Sequence, residues 1–483
     1  MNKIALKDLC YSGEIGKYGI PASAEEFDIN KIRYLRITDI DDYGNLLHND
    51  KKSVSSSDLD KYLLKEGDIV FARTGNSTGR TYYHEAKNGA LAFAGFLIKY
   101  GLDFEKVNPK YLKYYTISSE YKQWVKNLSV GSTRGNINAL TFADCPISVP
   151  ERKQQNLLVN VLSALDDKIE LNNQINTELE AMAKTLYDYW FVQFDFPFDF
   201  AQGPFDSAQG KTNENGTVAG EHGTVAERSR GYKSSDGKMI YNEVLKRKIP
   251  EGWEVKKLEE VESNIITGKT PSTLVESNFG GDIPFVTIDD IRKQLYIFKS
   301  DRTLTELGAS TQSSKFLNDG DICVSCIGTV GVIGIVGKRC QTNQQINSIS
   351  KIKDYNRYFL LNALRMYFEF NTGAKQGAVL SNMNKGEFSE ILIVDPSLEL
   401  KKKYLEKVKP LYQKIKNNFQ QNQELAQLRD WLLPMLMNGQ VRVGHSDAVV
   451  SGLNMVAEEK EVGSFQNVLV NWGLNHVCIV IHN

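Results

Sequence analysis

Alternating apolar and polar positions mark short strands at YLRITDI (34–40) and FVTIDDI (285–291). Farther along, EGDIVFARTG (66–75) and DGDICVSCIG (319–328) read as strands entered and left through paired glycines. The period then lengthens. From Gln154 to about Tyr189 the apolar residues Leu158, Leu162, Leu165 and Ile169 step by four and three, and Ile175, Leu179, Met182 and Leu186 follow after a phase slip. Leu405, Val408, Tyr412, Ile415 and Phe419 keep the same rhythm later, and Leu425, Leu428 and Leu432 resume it. Such narrow stripes predict a coiled-coil seam. Amides interrupt both, in LNNQIN (171–176) and KNNFQQNQ (416–423); a buried Asn weakens such a seam while fixing its register. Pro410 should kink the second helix or mark its start. Each helix would measure roughly 45–50 Å at about 1.5 Å per residue, long for an element that packs only on its own domain, which is the alternative.

The strand pattern occurs twice because the chain repeats itself. LKDL (6–9) corresponds to LEEV (258–261), the two strands above correspond to each other, and GSTRGNIN (131–138) corresponds to GAKQGAVL (373–380). The plan is globe, long helix, globe, long helix. If the helices pair antiparallel they form a rod that holds two similar globes apart. Between the copies lies a stuttering polar stretch in which FDFAQG is followed by FDSAQG (198–210) and GTVA at 216–219 recurs at 223–226. It reads as a passive, flexible linker, because lengthening a surface loop adds only about 0.6 kcal/mol per doubling. The expected boundaries are a first globe at 1–152, a helix at 153–190 and a linker at 191–248 carrying an insertion at 198–230. A second globe at 249–397, a second helix at 398–439 and a tail at 440–483 complete the chain. The tail ends in VLVNWGLNHVCIVIHN (468–483), which suits either a strand or disorder.

A chain of 483 residues exceeds one ordinary core, and 41% hydrophobic with 24% charged residues describes a soluble globular protein. No secretory leader opens it, and CVSCIGTVGVIGIVG (323–337) is too short and Gly-rich to span a membrane. Cysteines at irregular spacing suit reduced thiols in a cytoplasm. The net charge of −1 does not advertise nucleic-acid binding, so any such role must rest on local patches or on partners.

Catalytic constellations are missing. NPKY (108–111) lacks the second proline of an adenine-methyltransferase NPPY loop and reads as a helix start. ITGKT (266–270) and GNSTGRT (75–81) fall short of a phosphate-binding GxxxxGK[ST] and read as turns. Cys323 and Cys326 sit in a strand pattern without a second CxxC and read as buried thiols. His48, His84, His222, His445, His476 and His482 are scattered. The chain reads as non-catalytic, with no metal site.

IPEGWEVKKLEEV (249–261), GYKSSDGKMIYNEVLKR (231–247), LYDYWFVQFDFP (186–197) and LRDWLLPMLMNGQVRV (428–443) bring a family into view. Over residues 1–443 the chain resembles the specificity subunit of type I restriction–modification systems. The resemblance implies an α+β fold: two similar mixed α/β target-recognition domains separated by a long antiparallel two-helix coiled coil. It implies a bipartite double-stranded DNA target, one half-site per domain. It also implies two modification subunits carrying S-adenosylmethionine, and restriction subunits using ATP and Mg for translocation and cleavage. The chain itself would bind no cofactor. In the family, WFVQFDFP runs almost directly into a GYKSSDGKM-like segment; residues 198–230 are the departure.

Base edges are read by Arg on guanine and by Asn or Gln on adenine. Loops offering those groups give the candidates Arg73, Asn76, Arg80, Arg134, Asn136 and Asn138 in the first domain, and Gln341, Asn343, Gln344, Gln345, Lys375 and Gln376 in the second. Lys87, Lys122, Lys126 and Arg292 suit phosphate, which positions without specifying. Tyr189, Trp190, Trp431 and Leu432 are candidate anchors for partner subunits. Two other classes stay open at this level: a coiled-coil scaffold whose globes bind proteins, and an enzyme, against which the missing cofactor motifs weigh.

Overall fold

The glycines flanking the two GDI segments all take the left-handed backbone that side chains disfavour: φ is +84° at Gly67, +73° at Gly75, +91° at Gly320 and +83° at Gly328. The same strand is entered and left through the same turns twice. A computed structural model describes residues 2–47, 50–129, 136–197, 231–372 and 382–438, and the strands Val441–His445, Glu459–Val462, Phe465–Trp472 and Asn475–His482. The chain divides into two units, Met1–Ile169 with Gln423–Asn483, and Glu170–Asn422.

In the first unit a four-stranded sheet runs in the order Lys17–Tyr18, Leu97–Gly101, Asp68–Ala72, Thr81–Tyr83, all neighbours antiparallel. Beside it, Arg33–Leu35 pairs in parallel with Leu91–Phe93, and the opening strand Asn2–Ala5 pairs with Pro146–Val149. The second unit repeats the plan. Ile265–Thr267, Ile346–Ile349, Ile322–Ser325 and Ile333–Val336 follow one another as antiparallel neighbours, with Tyr296–Ile297 added at the edge. Phe279–Val286 pairs in parallel with Gln341–Thr342, and Glu254–Lys257 pairs with Leu392–Asp395. Even the small caps agree: Arg36 N donates to Asp39 Oδ2 at 2.7 Å, and Thr287 N to Asp290 Oδ2 at 2.8 Å. The duplication is structural.

One block pairs differently from the sequence expectation. Thr74 bridges Asn136 and Ile327 bridges Asn382; Asn138 and Asn384 then cap matching short helices, Ala139–Ala143 and Lys385–Ser389. The described end of GSTRGNIN, residues 136–138, therefore corresponds to NMN (382–384) rather than to the end of GAKQGAVL; residues 131–135 and GAKQGAVL itself lie outside the described residues.

The first long helix is Arg152–Tyr187, closing in a π-helical turn at Asp188–Val192; the second is Leu398–Met437. Pro410 lies inside the second helix and does not start it. In the first unit Leu158, Val159, Val161, Leu162 and Leu165 share a core with Leu425, Leu432, Leu433 and Leu436 and with the domain's own Tyr111 and Phe142. That face is broader than a two-position seam, so the helices both pair and complete the domain core. In the second unit Ala183 and Tyr187 pack with Tyr404, Val408, Tyr412 and Ile415.

Between these apolar stretches the second unit holds an amide layer. Asn172 Nδ2 donates to Gln421 Oε1 and Asn422 Oδ1, both at 2.8 Å, and Asn418 Nδ2 donates to Asn176 Oδ1 at 2.8 Å. A four-residue step from 172 to 176 meets a four-residue step back from 422 to 418, which makes the pair antiparallel. The buried line continues through Ala183 and Tyr187, while Met182 is 57% exposed. The expected stripe of Ile175, Met182 and Leu186 was one residue out of phase, because Asn and Ala carry the buried positions.

The insertion at 198–230 lies outside the described residues, but its ends are adjacent. Tyr232 N donates to Phe196 O at 2.8 Å, their rings stack at 4.7 Å, and Pro197 bridges Gly231. In the tail, the four strands form one antiparallel sheet in the order Val441–His445, Asn475–His482, Phe465–Trp472, Glu459–Val462.

Candidate nucleic-acid interface

Arg73 follows directly on the central strand of the first domain. Its N–H donates to Phe96 O at 3.1 Å and its carbonyl accepts from Ile137 N at 2.9 Å, so two loops fix its backbone. Its guanidinium lies 5.0 Å from the centre of the Tyr18 ring, and its Nε donates to Asn136 Oδ1 at 3.3 Å. Tyr18 is 44% exposed, and Phe96, whose carbonyl holds the Arg73 backbone, is 61% exposed. A guanidinium held between an amide and an exposed ring suits a polar partner with a flat face.

Asn76 is exposed on the turn Gly75–Ser77 that leaves the same strand. The turn closes through Gly79, whose N–H donates to Ala72 O at 2.8 Å and whose φ of +88° carries a hydrogen where a Cβ would strike Val125. Arg80 comes next. Its Nε donates to Asp42 Oδ1 at 2.7 Å, and its Nη1 reaches Ile40 O at 3.3 Å and Ser77 Oγ at 3.4 Å. Asp42, Asn76, Arg80, Lys122 and Lys126 line one open cleft of about 220 Å³. The cleft thus joins two base-reading candidates to two lysines assigned to phosphate. Asn138 is exposed too, but its Oδ1 caps a helix by accepting from Thr141 N at 2.9 Å, which leaves its amide donor for other work.

The second domain is built differently. Gln341 is fully buried in its strand, and its Nε2 donates to the carbonyls of Ala309 and Gln312 at 2.8 and 3.0 Å. It packs and braces the domain, and a base edge has no access to it. Asn343 and Gln345 bond each other across a tight turn, at 2.9 and 3.1 Å. Gln344 is exposed and accepts from Thr270 Oγ1 at 2.7 Å. Arg134, Lys375 and Gln376 lie outside the described residues. Arg292, assigned to phosphate, donates through Nη2 to Thr329 Oγ1 on the hairpin turn and through Nη1 to Asp289 Oδ1 at 3.1 Å. Asn382 and Asn384, counterparts of Asn136 and Asn138, are exposed and were missed; the repeat register was the signal that would have found them.

Residues set aside from chemistry sit as inert structure. Asn108 caps the helix Pro109–Tyr115, as NPKY suggested. Cys323 and Cys326 are buried in different clusters, and burial pushes their thiols up to about 12 and about 11. Among the described residues no group of three or more His, Cys, Asp or Glu could hold a metal ion. No described helix is long and apolar enough to cross a membrane.

The anchor candidates divide. Trp190 is buried, 5.7 Å from the Tyr404 ring, and Leu432 is buried in the first unit's core. Their neighbours Tyr189 and Trp431 are 47% and 50% exposed, as expected for residues about 100° apart around a helix.

Residues 1–181 and 250–427 both match the family described as type I restriction modification DNA specificity domain. The chain belongs to that family. This specificity-family chain is 31% identical over 408 residues to the type I restriction enzyme HindI specificity subunit of Haemophilus influenzae, spanning 79% of the chain and 88% of the relative. It is 25% identical over 365 residues to the MjaIX specificity subunit of Methanocaldococcus jannaschii, spanning 74% and 76%. A crystal structure of the type I restriction–modification S subunit from M. genitalium aligns with 90% of the chain and 95% of its own length, at 15% identity and a TM-score of 0.47. Specificity subunits are the recognition members of their systems, and the chain is a non-catalytic one.

Proposed function

We propose that the chain binds double-stranded DNA at a bipartite target, one half-site per recognition domain. Bound there, it directs adenine methylation by two modification subunits and cleavage by restriction subunits. The observation that carries this reading is the repetition, in both domains, of one arrangement. A glycine-bounded hairpin turn stands beside an exposed asparagine bridge, and each turn is tied by an arginine to the segment after a buried strand. Arg73, Asn76, Arg80, Arg134, Asn136 and Asn138 then serve the first half-site, and Asn343, Gln344, Gln345, Lys375 and Gln376 the second. The net charge of −1 fits a division of labour in which partner subunits supply much of the phosphate contact. S-adenosylmethionine, ATP and Mg belong to those partners, and the assembly works in the cytoplasm. Tyr189 and Trp431 are the exposed anchors for docking.

The test is protection of duplex DNA by the chain assembled with its cognate modification subunits. One bipartite duplex should be protected, with affinity falling steeply as salt rises, and a shuffled duplex should not. Equal protection of both duplexes would contradict the proposal, as would binding of protein partners with no DNA affinity.

A further inference from the structure

Two arginines, one in each domain, bridge the same pair of segments and are each braced by a carboxylate, and we infer that Arg80 and Arg292 each read a guanine in their own half-site. This inference rests on the function proposed above. In the first domain the arginine comes from the hairpin turn and reaches back to Asp42, beyond the strand Arg33–Leu35. In the second the arginine comes from the segment beyond the corresponding strand and reaches forward to Thr329 on the hairpin turn, with Asp289 on its other side. Arg80 is replaced at the second turn by Val332, since Ala72 N donates to Arg80 O just as Ser325 N donates to Val332 O. The same two segments are thus bridged by a guanidinium supplied from opposite sides.

Chemistry decides between base and phosphate. Arg80 has its Nε on Asp42 and its Nη1 on Ile40 O and Ser77 Oγ, and its Nη2 makes no hydrogen bond among the described residues. Nη2 keeps both of its N–H donors on a guanidinium held by its braces, and Arg292, with one bond on each Nη, makes none through Nε among the described residues. Such in-plane donors match the O6 and N7 acceptors of guanine in the major groove. The braces, Asp42 and Asp289, are 71% and 73% exposed. A carboxylate that open beside the contact repels phosphate and leaves a neutral base edge as the better partner. Asp42 and Asp289 are positioning residues.

The experiment maps methylated adenines genome-wide in cells carrying the chain with its cognate modification subunits, as wild type and as R80A, D42A and R292A. The wild-type word should hold a G·C pair in each half. R80A should lower the preference for G·C at one pair of one half by about tenfold, the loss of one base contact. R292A should do so in the other half only. D42A should relax the same pair as R80A while binding a scrambled duplex more tightly, because a negative charge has gone; a merely structural defect would weaken both. If R80A methylates nothing, D42A decides: relaxation at one pair supports the inference and an intact word overturns it. A wild-type word left unchanged by R80A and R292A also overturns it, whereas a wild type with no two-part word sinks the proposed function itself.

Discussion

Asp166 on the first long helix accepts a hydrogen bond from Arg429 on the second at 3.0 Å. The same carboxylate accepts from Lys113 Nζ at 3.0 Å and from Tyr114 Oη at 2.9 Å, both on the helix Pro109–Tyr115 of the first domain. One part-buried anion therefore ties both long helices to the recognition domain they complete. Burial alone would raise the Asp166 pKa, but Lys113 and Arg429 outweigh it and hold the group below its usual range.

Asp166→Ala leaves part-buried Lys113 without its carboxylate and Arg429 with Asp430 alone, and should destabilise the first unit by about 1.5–3 kcal/mol. Thermal melts of the variant measure it. A depressed carboxylate pKa contributes stability that is full above the unfolded value of about 3.9 and is lost as pH falls through the folded value. The gap in stability between wild type and Asp166→Ala should accordingly be constant from pH 7 to 5 and narrow only below about pH 4. A gap that closes above pH 5 would contradict the assignment.

The amide layer predicts an asymmetry. Asn418→Leu removes the donor to Asn176 and leaves a buried amide unmatched, a loss of about 1–3 kcal/mol. Asn176→Leu with Asn418→Leu together should restore the melting temperature or exceed it, since apolar side chains then face each other. The double variant should also tolerate more than one helix register, seen as more than one gap length in the methylated word. A single variant as stable as wild type would show that the layer contributes nothing.

Deleting residues 198–230 should leave both stability and the methylated word unchanged. The chain ends left by the deletion already meet through Tyr232 N and Phe196 O, so a short glycine link closes them without strain. The variant's melting temperature and methylation map check this, and a changed word would assign the insertion a role in recognition.

Native-state alkylation tests the burial of the thiols. Cys10, Cys145 and Cys323 have pKa values pushed up to about 12 by burial and should resist modification at pH 8 until the chain unfolds. Mass spectrometry reads the labelled positions, and rapid labelling of any of the three in the folded chain would contradict the packing.

Local signals were legible and distant pairings were not. The glycines at 67, 75, 320 and 328, the Asn108 cap and the four-three rhythm of Leu158, Leu162 and Leu165 all follow from neighbours within a turn or two, and sequence patterns read such neighbours directly. The phase after Ile169 was misread because the seam passes to Asn172, Asn176 and Ala183, which do not look apolar. Gln341 looked like a reader because an amide on a polar stretch resembles a loop, whereas its Nε2 is taken up by the carbonyls of Ala309 and Gln312 inside the domain. The bonds from Arg80 to Asp42 and from Arg292 to Thr329 join residues 38 and 37 positions apart and depend on the folded domain to meet.

Mapping methylated adenines in cells that carry the unaltered chain with its cognate modification subunits tests the central claim most directly. Two similar domains on one polypeptide predict two different short words separated by a gap of constant length and indifferent sequence. A single uninterrupted word, or two words at variable separation, would contradict it.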